Sequence, residues 1–153
     1  MLRNSLSAVF FRLFMTARAL WSPSVFGVAG AVFDEQGRVL LVRQRYMAGW
    51  RLPGGGVDRG EAPQAALLRE LGEEIGLSGG VPHFFGLYNR RAGWASNVVA
   101  LYRVTGGSVN FRPNFEVVEI CFADPAYPPD GCSDATARRL SELCGAAPPA
   151  AHW

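Results

Sequence analysis

Apolar residues recur along this chain with two different periods, and the changes between them mark its elements. Between residues 4 and 21, Leu6, Val9, Phe10, Leu13, Phe14, Ala17, Leu20 and Trp21 fall at three- and four-residue steps, the period of an amphipathic helix. Ser22-Pro23 ends it. Residues 25–33 (VFGVAGAVF) and 38–43 (RVLLVR) are apolar β-rich runs on either side of Asp34-Glu35-Gln36-Gly37, a sequence suited to a hairpin turn. Residues 44–60 are loop-like and glycine-rich, with a short apolar patch from Trp50 to Leu52. The helical period returns over 62–76, with Pro63 in the first turn, where its missing N–H removes no hydrogen bond, and Gly76 near the end. Strands are expected over 83–88, 96–104 and 116–122, and a last helix over 133–143, capped by Ser133 or Asp134.

These elements divide the chain into an N-terminal amphipathic helix (1–22), one α/β domain (23–144) and a flexible tail (145–153). Arg12 and Arg18 interrupt the first helix, so it is no membrane span, which needs ~20 mostly apolar residues. Its continuous stripe implies docking on the chain's own domain or on a second copy, as a homodimer. Attachment to a membrane surface is the alternative.

Composition narrows the class of protein. A length of 153 residues fits one domain. With 49% hydrophobic and 18% charged residues, the chain is not intrinsically disordered. A net charge of +2 gives no strong pull toward nucleic acid, so no nucleic-acid partner is expected. Cys121, Cys132 and Cys144 form no CxxC pair and are neither a disulfide framework nor a zinc site. Reduced thiols in a cytoplasmic protein are the expectation. All fifteen basic residues are arginine. Arginine binds phosphate bidentately, yet the richness in Ala, Gly and Pro points to a coding bias, so each arginine is argued by position.

The chemistry concentrates in residues 50–77, WRLPGGGVDRGEAPQAALLRELGEEIGL. At about 100° per residue, Leu67, Leu71, Ile75 and Leu68 form one apolar stripe, and Glu70, Glu73 and Glu74 crowd the adjoining arc. Like charges at i, i+4 cost roughly a few tenths of a kcal/mol. A solvated acidic face is one reading of the triplet; a cation held between the carboxylates is the other. Oxygen donors without His or Cys suit a hard ion, Mg²⁺ or Mn²⁺. Arg69 stands four residues before Glu73 and can pair with it. Pro53-Gly54-Gly55-Gly56 ahead of the helix offers bare backbone that can approach an ion or phosphate.

The segment resembles the signature of the Nudix hydrolase family, G-x5-E-x7-R-E-U-x-E-E-x-G-U, with U a bulky aliphatic residue. Gly55, Glu61, Arg69, Glu70, Leu71, Glu73, Glu74, Gly76 and Leu77 fill it without departure. The resemblance implies an α/β/α sandwich around a mixed β-sheet, to which the N-terminal helix is an addition. It implies metal-dependent hydrolysis of a nucleoside diphosphate linked to another moiety. Glu70, Glu73, Glu74 and the carbonyl of Gly55 or its neighbour would hold Mg²⁺ or Mn²⁺. Glu61 would act behind them or through a water, and Arg69 would orient Glu73. Glu116 is the expected general base by its place before Phe122; Glu119 or a signature glutamate, Glu74 among them, is the alternative. Outside residues 55–77 the charge balance is +5, and within them it is −3. The surroundings can therefore attract the phosphates.

For the substrate, Arg43, Arg45 and Arg51 are candidate phosphate contacts, with Arg90 and Arg91. Tyr46 and Trp94 are candidate stacking partners for a base. Family members that cleave ADP-ribose often carry a proline downstream of the signature, where this chain has Ala92. Two other readings stand beside hydrolysis: a nucleotide sensor without turnover, and an isomerase of a prenyl diphosphate, which would need a cysteine such as Cys121 near the pocket.

Overall fold

The computed structural model describes residues 24–92 and 95–153. The N-terminal amphipathic helix and Trp94 lie outside them. Strands β1 (Ser24–Val32), β2 (Val39–Gln44) and β3 (Trp50–Arg51) precede helix α1 (Pro63–Ile75). Strands β4 (Leu77–Ala92), β5 (Ala95–Val109) and β6 (Val117–Ala123) follow, and then helix α2 (Asp134–Leu143). The strands form two three-stranded sheets, β1-β5-β4 and β3-β2-β6. The first is mixed, with β1 parallel and β4 antiparallel to β5. The second is antiparallel throughout.

Alternation along the strands builds two cores on opposite faces. Val28, Val32, Leu40, Val42, Ala100, Tyr102 and Val104 pack with Ala66, Leu67, Leu71 and Ile75 of α1. Their neighbours Ala29, Ala31, Val39, Leu41, Val99 and Leu101 pack with Leu140 and Leu143 of α2. The strands therefore lie between two helices, in layers α, β, α. Gly30 lets α1 come close: a Cβ there would lie 2.9 Å from Leu71 Cδ1. Leu68, expected in the apolar stripe, is instead 36% exposed, because Glu74 takes the buried side of α1. No helix among the described residues is long and apolar enough to cross a membrane.

Three expectations are corrected. The turn at Asp34–Gly37 forms, with Asp34 Oδ1 accepting from the N–H groups of Gln36 and Arg38 at 3.0 and 2.8 Å. Yet β1 and β2 meet only at a bridge between Phe33 and Val39 and then enter different sheets. The strands around residues 83–104 extend into a hairpin reaching from Leu77 to Val109, because Gly79, Gly80, Gly106 and Gly107 lie within the pairing rather than ending it. Residues 145–153 are not a loose tail. Asn89 N–H donates to Ala151 O (2.9 Å) and Trp153 N–H to Asn89 O (3.0 Å), so the segment runs beside β4.

That docking centres on a buried ion pair. Arg139, with no solvent exposure, donates to Glu142 Oε1 at 2.6 Å and to the carbonyl of His152 at 2.9 Å. Glu142 also accepts from Tyr88 Oη (2.7 Å) and from Ala150 N–H (3.1 Å). The guanidinium lies 4.2 Å from the Tyr88 ring centroid. Removing one partner of a buried pair leaves an uncompensated charge and costs about 3–5 kcal/mol. Urea unfolding should therefore show Glu142→Leu as the most destabilised variant, with Arg139→Met/Glu142→Leu regaining part of the loss. A double variant no more stable than the single one would show that the charges are not coupled.

Candidate functional site

The glycine loop is laid directly on β1. Gly30 N–H donates to Pro53 O, Val28 N–H to Gly55 O and Val57 N–H to Phe26 O, at 2.9, 2.9 and 3.0 Å. Gly54 has φ +144°, and any side chain there would run into the carbonyl of Val28. Only glycine fits both demands. Helix α1 then starts at Pro63 and stops at Gly76, whose left-handed conformation (φ 66°) and N–H bond to Gly72 O close the last turn.

Loop and helix are joined through carboxylates. Glu74 is 3% exposed. Its Oε2 accepts from Gly54 N–H at 2.8 Å and its Oε1 from Gln44 Nε2 at 3.0 Å. Burial pushes its carboxyl up to about 7; the two bonds pull the other way, and the charges of Glu116 and Glu70 add to the rise. Glu70 lies against Gly55, in space that a Cβ at position 55 would fill. Arg69 Nη1 donates to Glu70 Oε1 at 2.8 Å. Its Nε and Nη2 hold both oxygens of Glu61 at 3.0 and 2.9 Å, and Nη2 also donates to Gly56 O at 3.1 Å. These bonds hold the Glu61 carboxyl below the usual carboxylate range.

Arg69 was expected to orient Glu73. Glu73 lies 3.7 Å away with a side chain 64% exposed, whereas Glu61 and Glu70 take the short bonds. Arg69 thus ties the loop to the helix, and Glu73 stands in solvent. No group of three His, Cys, Asp or Glu residues among the described residues forms a ready-made metal shell. The reason is visible in the bonds: Glu70 is turned to Arg69, Glu74 to Gly54 and Gln44, and Glu73 outward. The donors that share this corner, Glu70, Glu74 and the Gly55 carbonyl, are all hard oxygens, a set suited to Mg²⁺ or Mn²⁺. The mutual repulsion of Glu70, Glu74 and Glu116 is what a cation there would relieve.

Two residues missed by sequence reading complete the corner. Asn114 Nδ2 donates to the carbonyl of Glu74 at 3.0 Å, and its Oδ1 accepts from Glu116 N–H and Val117 N–H at 3.0 and 2.8 Å. It joins the end of α1 to the start of β6 and carries Glu116 toward Glu74. The signal was local: asparagine just before a strand often bonds the backbone two residues on. Gln44 offered no such signal, since its bond to Glu74 spans 30 residues. Glu119 belongs elsewhere. It pairs with Arg43 at 2.8 Å across β2 and β6.

That pairing engages Arg43, whose guanidinium also lies 4.4 Å from the Trp50 ring centroid. Arg45 is exposed and donates to Phe115 O at 3.3 Å. Tyr46 is 69% exposed and tilts against Phe115. None of the three lines the cleft of about 260 Å³ beside the glycine loop. Arg51 does, with Arg90, Gln44, Gly54 and Gly55. Cys121 is on β6, packed against the α2 core and outside the cleft, so the isomerase reading lacks its cysteine.

Comparison with known proteins gives the fold a context. A model of the NUDIX domain matches residues 23–140. A MutT-like protein of Streptomyces ambofaciens is 30% identical over 122 residues, 79% of this chain and 78% of its own length. An RNA pyrophosphohydrolase of Gluconobacter oxydans is 40% identical over 68 residues, which are 43% of this chain but only 37% of that relative. The solved structure of the MutT NUDIX hydrolase of Burkholderia pseudomallei has the same fold, with a TM-score of 0.70 at 22% identity over 80% of this chain and 99% of that one.

The raised Glu74 carboxyl makes stability depend on pH. Its folded value of about 7 lies above the ordinary 4.5, so the folded state binds the extra proton between those values. Stability from this group is complete below pH 4.5 and is lost as pH rises through 7. In chelator, the wild type should lose about 3 kcal/mol across that window relative to Glu74→Gln. Urea unfolding at several pH values measures the difference. Parallel profiles would show that Glu74 titrates normally.

Proposed function

The chain belongs to the Nudix family, and on that premise we propose that it is a metal-dependent pyrophosphohydrolase. Its reaction is water attack at phosphorus in the diphosphate of a nucleoside diphosphate linked to a further moiety. The observation that carries this reading is the corner where Glu70 and buried Glu74 meet the Gly54–Gly55 backbone, with exposed Glu116 near enough for its charge to raise the Glu74 carboxyl, beside a cleft lined by Arg51 and Arg90. A solvated acidic face does not explain a carboxylate that is 3% exposed and pushed up to about 7.

Enzymes of this family generally use divalent metals. Glu70, Glu73, Glu74 and the Gly55 carbonyl would hold Mg²⁺ or Mn²⁺. When bound, the ion supplies positive charge to the phosphate oxygens and eases deprotonation of water. Arg69 acts as a positioning residue, fixing Glu70 and the loop rather than touching substrate. Arg51 and Arg90 bind phosphate oxygens from the cleft side. Glu116, carried to the corner by Asn114, takes the proton of the attacking water. Glu119 is engaged with Arg43, which favours Glu116 over it as the base. The relatives named for pyrophosphohydrolysis and as MutT-like support the bond class that is cleaved.

A hydrolysis screen of nucleoside diphosphate derivatives with Mg²⁺ and Mn²⁺ tests the reading. Activity should vanish in excess chelator and in Glu74→Gln. Glu116→Gln should lower kcat by roughly 10²–10⁴ with little change in KM, because the carboxylate acts mainly in the transition state. Glu119→Gln should be far milder. In ¹⁸O-labelled water, the label should enter a phosphate product. Label in a non-phosphate product, or full activity in chelator, would refute the mechanism.

A further inference from the structure

The cleft is lined partly by a segment that the family signature does not contain. Trp153 and Thr136 stand on its wall with Arg51, Asn97 and Gly27. Trp153 is held from several directions. Its N–H donates to Asn89 O at 3.0 Å, and its carbonyl accepts from Arg138 Nη2 at 3.2 Å. Its ring meets Tyr88 edge-on at 5.6 Å and lies 5.5 Å from the Arg139 guanidinium. The neighbouring carbonyl, His152 O, is tied to buried Arg139. A ring fixed in this way needs little further ordering when a ligand arrives.

Two polar atoms of the same lining are buried with no partner among the described residues: Arg51 Nε, a donor, and Asn97 Oδ1, an acceptor. Buried polar groups are rarely left unpaired without a reason. Position 27 has no side chain; a Cβ there would lie 3.7 Å from Asn97 Oδ1 and 3.3 Å from Gly55 O, narrowing the cleft beside both. An aromatic residue and a side-chain amide, which sets an acceptor beside an N–H donor, match a nucleobase, whose edge carries the complementary groups and whose faces stack on aromatic rings. A ribose or a bare polyphosphate has no face to lay on the indole. The volume of about 260 Å³ suits one small planar group rather than an oligomer.

We propose that Trp153 is a substrate-contacting residue, the wall on which the base of the substrate stacks, while the side-chain amide of Asn97 meets the base edge. The proposal rests on the nucleotide reading of the site and names the residue that selects a base-bearing substrate. The buried Arg139–Glu142–Tyr88 group thereby holds one wall of the binding site.

Titration calorimetry in chelator, without turnover, tests it with AMP, GMP and ribose 5-phosphate as probes. Wild-type protein should bind AMP or GMP more tightly than ribose 5-phosphate. Trp153→Leu, which keeps an apolar side chain but removes the flat face, should weaken the base-bearing probes by about tenfold. Trp153→Phe should recover most of that loss, and ribose 5-phosphate should bind all three proteins alike. Thermal melting of Trp153→Leu confirms that the variant is folded. Undiminished AMP and GMP binding by folded Trp153→Leu would overturn the proposal, as would equal loss of ribose 5-phosphate. Wild-type binding of AMP and GMP no tighter than ribose 5-phosphate would overturn it too, leaving hydrolysis standing. The expected pattern alongside a blank hydrolysis screen would do the reverse.

Discussion

One guanidinium holds the candidate site together. Arg69 reaches from the first turns of α1 to both oxygens of Glu61, to Glu70 and to the carbonyl of Gly56. Arginine can do this because its donors are fixed in a planar fork and remain charged at any physiological pH. The bonds convert an 11-residue excursion between β3 and α1 into a strap of set length. With the strap in place, Gly54 lies on β1 and presents its N–H to Glu74, and Gly55 leaves room for Glu70. Without it, the carboxylates of α1 would repel one another and the loop would lose its main tie to the helix.

The opposite side of the corner depends on neutral amides. Asn114 binds the end of α1 to the start of β6, and Gln44 binds β2 to Glu74. Amides serve here because they add hydrogen bonds without adding charge to a crowded set of carboxylates. A second arginine, Arg139, organises the far wall of the cleft as Arg69 organises the near one. The cleft thus lies between two separate arginine–glutamate knots. Among the arginines placed at the cleft, Arg51 and Arg90 make no such structural pair in the bonds of the described residues.

What could be read from the sequence follows from what each feature depends on. The α1 segment was legible because helix period, glycine spacing and carboxylate spacing are all local. So were the cap at Ser133 and the turn at Asp34, which rest on bonds within four residues. The i, i+4 pair of Arg69 with Glu73 forms at 3.7 Å, but the shorter bonds to Glu61 depend on the folded loop, which spacing along the helix does not reveal. Arg43 looked free because nothing in the sequence sets the β2–β6 register that faces it with Glu119. The docking of residues 145–153 was hidden for the same reason: Asn89, Arg139 and Trp153 meet only in three dimensions. The long β4–β5 hairpin was cut short because paired glycines mimic turn signals.

Arg69 acts by position. Mn²⁺ binding, followed by electron paramagnetic resonance at pH 7.5 in wild type and Arg69→Met, tests it through the sign of the change. Removing a nearby positive charge should by Coulomb's law alone tighten binding of a cation. Loss of a group that orients the ligands should instead weaken it, roughly 10–100-fold. Weaker binding by the folded variant is the expected result. Unchanged or tighter binding would contradict a positioning role for Arg69.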